Sequence, residues 1–258
     1  MAYGAKFELF EAYFLQMPTA MLHWQHRQRR RREWGCQGGR EEIREFRGHR
    51  KFNRFWGHVT LATLNVRSLG RRRQDDGFYY SHLKSLNHDV MGLTEMWNSQ
   101  KRYDSWDCVT CEPNHGGGDR PAGVCIMLSK RFASRQLNRG RIGTRGCWVR
   151  IQGPVCNLLI ICIYLPPIGS KTETVSLMKG LREVLNDRSQ HDCVILLGDF
   201  NIEFPRRYQN IIGPYACAQG KIKMRRRTKD FLNLFEQHDL CVPSTYFRPK
   251  KRQNLYTW

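Results

Sequence analysis

Four apolar runs in this chain each finish on a side chain that a buried strand cannot hold without a partner. "VTLATLN" ends in Asn65, "DVMGLTE" in Glu95, "CNLLIICIY" in Tyr164, and "CVILLGDFN" in Asp199 followed by Asn201. Each run has the length and aliphatic, β-branched composition of a strand. An acid or amide at the end of such a strand costs free energy unless it is hydrogen-bonded or bound to a metal. One case would carry little information. Four of them ask for a fold in which several strand ends meet around a single site.

The intervening segments fit a mixed α/β domain. "AGVCIMLS", "CWVRI" and "DCVTCE" add strand candidates, and "FYYSHLKSLNHD" places Tyr79 or Tyr80, Leu83 and Leu86 at helical spacing. "TETVSLMKGLREVLND" puts Val175, Met178, Leu181, Val184 and Leu185 on one helical face, with Thr172 as a cap. "KDFLNLFEQHDL" does the same for Phe231, Leu234 and Phe235. No internal repeat is present.

Charge divides the chain. Residues 1–57 are expected to form a basic, largely disordered extension, and residues 58–258 the folded domain. Phe7, Phe10, Phe14 and Leu15 suit one face of a short helix limited by Pro18. Between Arg27 and Arg54, Arg and Lys outnumber Glu eleven to four. Such a run is a solvated segment, a nucleic-acid-binding arm or a nuclear localisation signal. Over all 258 residues, 43 Lys and Arg face 23 Asp and Glu, a net charge of +20, which points to a polyanionic partner, most simply nucleic acid.

Ten cysteines are too few for a disulfide scaffold at this length, and most lie inside apolar runs. Cys108 and Cys111 form C-x-x-C with His115 close behind. No second such pair answers them, and "DCVTCE" also fits an alternating strand before a glycine-rich turn. No apolar run is long enough to span a membrane. The first residues, with Glu8 and Glu11, make a poor secretory signal. An intracellular location is expected, the nucleus before the cytoplasm, with no membrane partner.

The strand-end residues suggest chemistry. Glu95 and the Asp199 region offer hard oxygen ligands suited to Mg²⁺ or Mn²⁺ rather than zinc. Asp199 and Asn201 share one side of the segment if it stays extended. The acid can then orient a water while the amide contacts a phosphate oxygen. Tyr164, held by the "YLPP" turn, offers a hydroxyl to the same phosphate.

"TLNVRSL", "DVMGLTEMW", "GVCIMLSKR", "IICIYLPP" and "VILLGDFNIE", in that order, resemble the endonuclease/exonuclease/phosphatase superfamily with its deoxyribonuclease-I-like fold. The segments "IIGPYACAQGK", "FLNLFEQHDLCVPSTYF" and "YTW" resemble more narrowly the endonuclease domains of non-LTR retrotransposons and the craniofacial development protein 2-like proteins. The resemblance implies an α/β four-layer sandwich of two packed β-sheets flanked by helices, and Mg²⁺-dependent phosphodiester hydrolysis. It assigns Glu95 as a metal ligand, Asn65 to the metal and phosphate side, and Tyr164 to the phosphate. It makes Asp199 the positioner of the nucleophilic water and Asn201 a contact of the transition state. Arg67 stands where some members carry an acid. Members also carry a later strand with an Asp and another with an Asp-His pair, normally after "YTW", whereas Trp258 is the last residue here. The domain is therefore expected to be incomplete at its C-terminus, with activity weakened or lost. His115 and His238 are poor substitutes, one in a loop and one on a helix.

Between Pro205 and Lys229 lie eight cations and no acid: Arg206, Arg207, Lys221, Lys223, Arg225, Arg226, Arg227 and Lys229. Following directly on Asp199 and Asn201, they are candidates for binding the nucleic-acid backbone, with strong salt dependence; the alternative is a solvated basic loop. Three functions stand at this point: a Mg²⁺-dependent DNA endonuclease of retrotransposon type, an inactive nucleic-acid-binding protein, and a phosphatase or phosphodiesterase for a small substrate.

Overall fold

The computed structural model describes residues 59–66, 83, 85–86, 88–96, 123–153, 156–166, 171–205, 207–216 and 225–246, and the backbone of 9–10, 14–16 and 107–111. Eleven strands are named among them: β1 (Leu9–Phe10), β2 (Phe14–Gln16), β3 (Leu61–Asn65), β4 (Val90–Met96), β5 (Asp107–Cys111), β6 (Gly123–Leu128), β7 (Gln136–Ile142), β8 (Gly146–Ile151), β9 (Asn157–Tyr164), β10 (Asp192–Asp199) and β11 (Leu240–Cys241). The helices are α1 (Lys130–Ala133), α2 (Lys171–Asn186) and α3 (Arg226–Gln237), with a 3₁₀ turn at Pro243–Tyr246.

The strands make two mixed sheets, a five-stranded one in the order β1-β3-β4-β6-β5 and a six-stranded one in the order β11-β2-β10-β9-β8-β7. The parallel pairs are β3 with β4 and β9 with β10. These four strands are the ones that end in the polar residues noted above.

Strand alternation sorts their side chains into layers. Leu158, Ile160 and Cys162 of β9 and Ile195 and Leu197 of β10 pack against Val90, Val124, Ile126 and Leu128 of the other sheet. The intervening Leu159, Ile161, Ile163, Val194 and Leu196 meet Leu177, Met178, Leu181 and Leu185 of α2 and Phe231, Leu232, Leu234 and Phe235 of α3. On the far side of the first sheet, Leu83 covers Ala62, Leu64, Met91, Leu93, Cys125 and Met127, and the chain is helical at Leu83 and Ser85. The architecture is thus α/β, helix on sheet on sheet on helix. The sheets pack tightly at Gly92, where a β-carbon would stand 2.9 Å from Cys162 Sγ and 3.0 Å from Leu197 Cβ.

Several expectations need correction. The segment read as a helix containing Phe10 and Phe14 is extended there. β1 pairs with β3, and β2 with both β10 and β11, so two pieces of the 1–57 extension belong to the sheets. Aromatic residues favour a strand wherever an open ladder accepts them. Phe7 and the basic run of the extension lie outside the described residues. Thr172 does not cap α2, because the helix already includes Lys171. Val175 is 67% exposed, and Leu177 takes a buried place on that face. Among the described residues, no helix is long and apolar enough to cross a membrane.

Candidate active site at the strand ends

The carboxyl ends of β3, β4, β9 and β10 converge, and Asn65 joins them. Its Nδ2 donates to Glu95 Oε1 at 2.9 Å and to Asp199 Oδ2 at 3.0 Å, linking the two sheets through one amide. Glu95 reaches this position through a backbone irregularity. The pairing of β4 with β6 shifts register between Thr94 and Met96. Glu95 itself takes φ of 59°, a left-handed conformation that departs from strand alternation. Such backbone strain persists where the surrounding contacts hold it.

Tyr164 closes the same cluster. Its hydroxyl hydrogen-bonds Glu95, and its pKa is pushed up to about 12 by burial, by the Glu95 charge and hydrogen bond and by Asp199, with Arg145 opposing. The hydroxyl therefore stays protonated at neutral pH and is a donor. Arg145 lies in the turn between β7 and β8. Its guanidinium stands 5.4 Å from the centre of the Tyr164 ring and 3.0 Å from the Glu173 carboxylate, while its carbonyl accepts from the Tyr164 N–H at 2.8 Å. Replacing Arg145 by Met is expected to cost about 2 kcal/mol, the scale of a hydrogen bond to a charged group. Urea denaturation measures this, and an unchanged midpoint would mean that the pair contributes nothing to stability.

Asp199 ends β10, and the chain then turns. Asn201 has φ of 44°, so it does not share an extended face with Asp199 as strand alternation had suggested. Asp199 Oδ1 instead accepts the Asn201 N–H at 3.0 Å, a local side-chain-to-backbone turn. The Asn201 amide donates to the Leu165 carbonyl at 2.7 Å, and Leu165 N–H donates to the Asp199 carbonyl at 2.8 Å. The "YLPP" turn and the "GDFN" turn are thereby stitched together.

The basic run is divided. Arg207, Arg225, Arg226 and Lys229 are exposed, whereas Arg227 is half-buried. Its guanidinium donates to the Pro166 carbonyl. Burial lowers its pKa, while the Asp199 charge acts in the opposite direction. Arg206, Lys221 and Lys223 lie outside the described residues, as does His115. His238 sits elsewhere. It follows α3 with its ring Nδ1 2.9 Å from Arg188 Nη1, and Arg188 precedes β10, at the end opposite Asp199. Burial and Arg188 lower the His238 pKa. His88 and His191 also precede the strands whose far ends form the cluster. Among the described residues, then, no histidine stands at the strand-end site.

Glu95 and Asp199 face each other across a shared donor, and two carboxylates so placed favour a cation between them. Among the described residues, no group of three or more His, Cys, Asp or Glu side chains gathers to hold a metal ion. Glu95 and Asp199 suit an ion bound through one or two carboxylates with water filling its remaining positions, the habit of Mg²⁺. Arg145 and Glu173 escaped the sequence analysis because neither lies near an apolar-run terminus. The "YLPP" turn, singled out for rigidity, was the available signal for Leu165 and Pro166.

A family model described as "Endonuclease/Exonuclease/phosphatase family" matches residues 62–245. Craniofacial development protein 2 of Bos taurus is 24% identical over 203 residues, covering 77% of this chain and 33% of that protein. The same protein of Tragulus javanicus is also 24% identical over 203 residues, covering 77% and 34%. The chain therefore spans about a third of the length of the curated relatives it matches. Among solved structures, it is similar to the 3′ phosphatase NExo from Neisseria bound to a product DNA hairpin, with 18% identity, TM-score 0.45, and coverage of 69% of this chain and 71% of the other. An AP endonuclease from Archaeoglobus fulgidus gives 17% identity, TM-score 0.45 and the same coverage, 69% and 71%. D. rerio TDP2 complexed with a single-strand DNA product gives 22% identity and TM-score 0.41, covering 56% and 61%.

Proposed function

Because this chain belongs to the endonuclease/exonuclease/phosphatase family, we propose that it hydrolyses phosphodiester bonds in nucleic acid, with DNA as substrate and Mg²⁺ or Mn²⁺ as cofactor, as an endonuclease of retrotransposon type. The observation that carries this reading is the single Asn65 amide shared by Glu95 and Asp199 at the meeting point of two sheets. The family is one of divalent-metal-dependent enzymes, and the oxygen-rich donor set supports that dependence here.

Glu95 would hold the ion, with Asn65 keeping its carboxylate directed at the site. When bound, the ion polarises a phosphoryl oxygen and offsets its charge. Asp199, fixed by donors on both oxygens, orients a water for attack on phosphorus and accepts its proton. Asn201 lines the turn beside it. As the new P–O bond forms, the bond to the leaving oxygen breaks, and that oxygen takes a proton from solvent. Tyr164, protonated throughout the neutral range, donates to a non-bridging oxygen. The net charge of +20 and the exposed Arg207, Arg225, Arg226 and Lys229 support a polyanionic substrate, with Arg206, Lys221 and Lys223 extending the same basic run. They argue against a small phosphorylated substrate.

A second reading, nucleic-acid binding without turnover, draws on one specific observation: no histidine stands at the site among the described residues. The test compares nicking of supercoiled plasmid with hydrolysis of a small chromogenic phosphodiester, in Mg²⁺ and in EDTA. Metal-dependent nicking with little activity on the small ester is the expected result. A plasmid that shifts on a gel without being cut favours binding alone, and preference for the small ester overturns the nuclease reading.

A further inference from the structure

Arg227 stands apart from the cations around it. Arg225, Arg226 and Lys229 are exposed near the start of α3, as an electrostatic surface requires, but Arg227 is half-buried. Its guanidinium is anchored on the Pro166 carbonyl, two residues beyond Tyr164, in the turn whose Leu165 is bonded to both Asp199 and Asn201. Its Nε is buried and has no hydrogen-bond partner among the described residues. A buried guanidinium donor left unmatched costs free energy, so this side chain holds its inward position at a cost that the exposed neighbours do not bear. The carboxylate that acts on this guanidinium is that of Asp199, the residue given the water. A solvated charge run accounts for none of these features.

We propose that Arg227 is a catalytic residue of this site, donating from its guanidinium to a non-bridging oxygen of the phosphodiester under attack. This rests on the nuclease reading for the chemistry, though not for the phosphate contact. A planar, permanently charged fork suits an oxyanion whose charge grows in the transition state. The neighbouring cations bind backbone phosphates without distinguishing ground from transition state. Their loss lowers affinity and reduces the salt slope by about one per contact, whereas loss of Arg227 acts chiefly on the rate.

The test uses the full chain and Arg227→Gln, which keeps an amide donor for Pro166 and removes the charge. Lys179→Gln, which removes an exposed α2 cation, serves as a charge control expected to behave as wild type. Two quantities are read: single-turnover nicking of plasmid at saturating protein in Mg²⁺, and binding of the dinucleotide TpT, which has a single phosphodiester, in EDTA. Arg227→Gln is expected to slow nicking about 100-fold, the effect of losing one oxyanion donor. It is also expected to weaken TpT binding about 10-fold or more, the scale of a charge-assisted hydrogen bond, while plasmid affinity changes less than about threefold. If wild type nicks and Arg227→Gln nicks at a similar rate, the proposal is overturned and the nuclease reading stands. If wild type does not nick but binds TpT, and Arg227→Gln does not, the cleavage reading fails and the phosphate contact stands. Equal TpT binding by both proteins, or none by wild type, overturns the proposal.

Discussion

Gly198→Ala is expected to destabilise the domain by more than about 4 kcal/mol, a loss comparable with the whole stability of many domains. Gly198 precedes Asp199 in β10 and pairs with Ile163 of β9. Its φ is 127°, and an added β-carbon would lie 1.9 Å from the Ile163 carbonyl oxygen, with the Ile163 backbone carbon and nitrogen each at 2.9 Å. Those atoms belong to the parallel ladder between the two central strands and cannot move without breaking it. Gly143 offers the contrast. It has φ of 57° but nothing within 4 Å of a new β-carbon, so Gly143→Ala should cost only about 1 kcal/mol of backbone strain. Chemical denaturation of both variants measures the difference. Equal and small effects would show that the two strands do not run as closely as described. The same geometry explains the glycine in "GDFN": it lets β10 approach β9 closely enough to set Asp199 beside Tyr164.

The second large effect is catalytic. Asp199→Asn keeps the shape of the side chain, and its one carbonyl oxygen can still accept the Asn201 N–H, but its amide nitrogen then opposes the Asn65 amide, so a stability loss of about 1–3 kcal/mol is expected. The variant cannot take a proton from water, and the Asn65 amide loses a charged acceptor. Single-turnover nicking is expected to fall about 10²–10⁴-fold, the range for losing a positioned acid or base, and DNA affinity should hold or rise as a negative charge is removed. A rate within about threefold of wild type would remove Asp199 from the role given to it. Loss of rate together with loss of folding would make it a structural residue.

Much of the site was legible because each of its principal residues closes an apolar run. Asn65, Glu95, Tyr164 and Asp199 stand out wherever period-two burial meets an unexplained polar group, and the structure brings all four together. What escaped depends on backbone geometry or on distant contacts. The Glu95 bulge and the left-handed Asn201 leave no mark in an alternation pattern. Arg145 reaches Tyr164 through packing between a turn and a neighbouring strand, a contact that sequence spacing cannot express. Arg227 sits inside a run of like residues, where composition cannot tell which one turns inward. The fold shows the same division. Long apolar strands and the two amphipathic helices were readable, whereas β1 and β2, of two and three residues, are too short to carry a period. β7 is a largely exposed strand, "QLNRGRI", without an apolar face to announce it.

The central claim is that these strand ends form one metal-dependent phosphodiesterase site. Its most direct test is nicking of supercoiled plasmid by the full chain in Mg²⁺ and in EDTA, beside Glu95→Gln. Nicking that requires Mg²⁺ and falls by at least about 100-fold in the variant is the expected result. Plasmid left uncut by wild type in Mg²⁺, or cut as fast by Glu95→Gln, would contradict it.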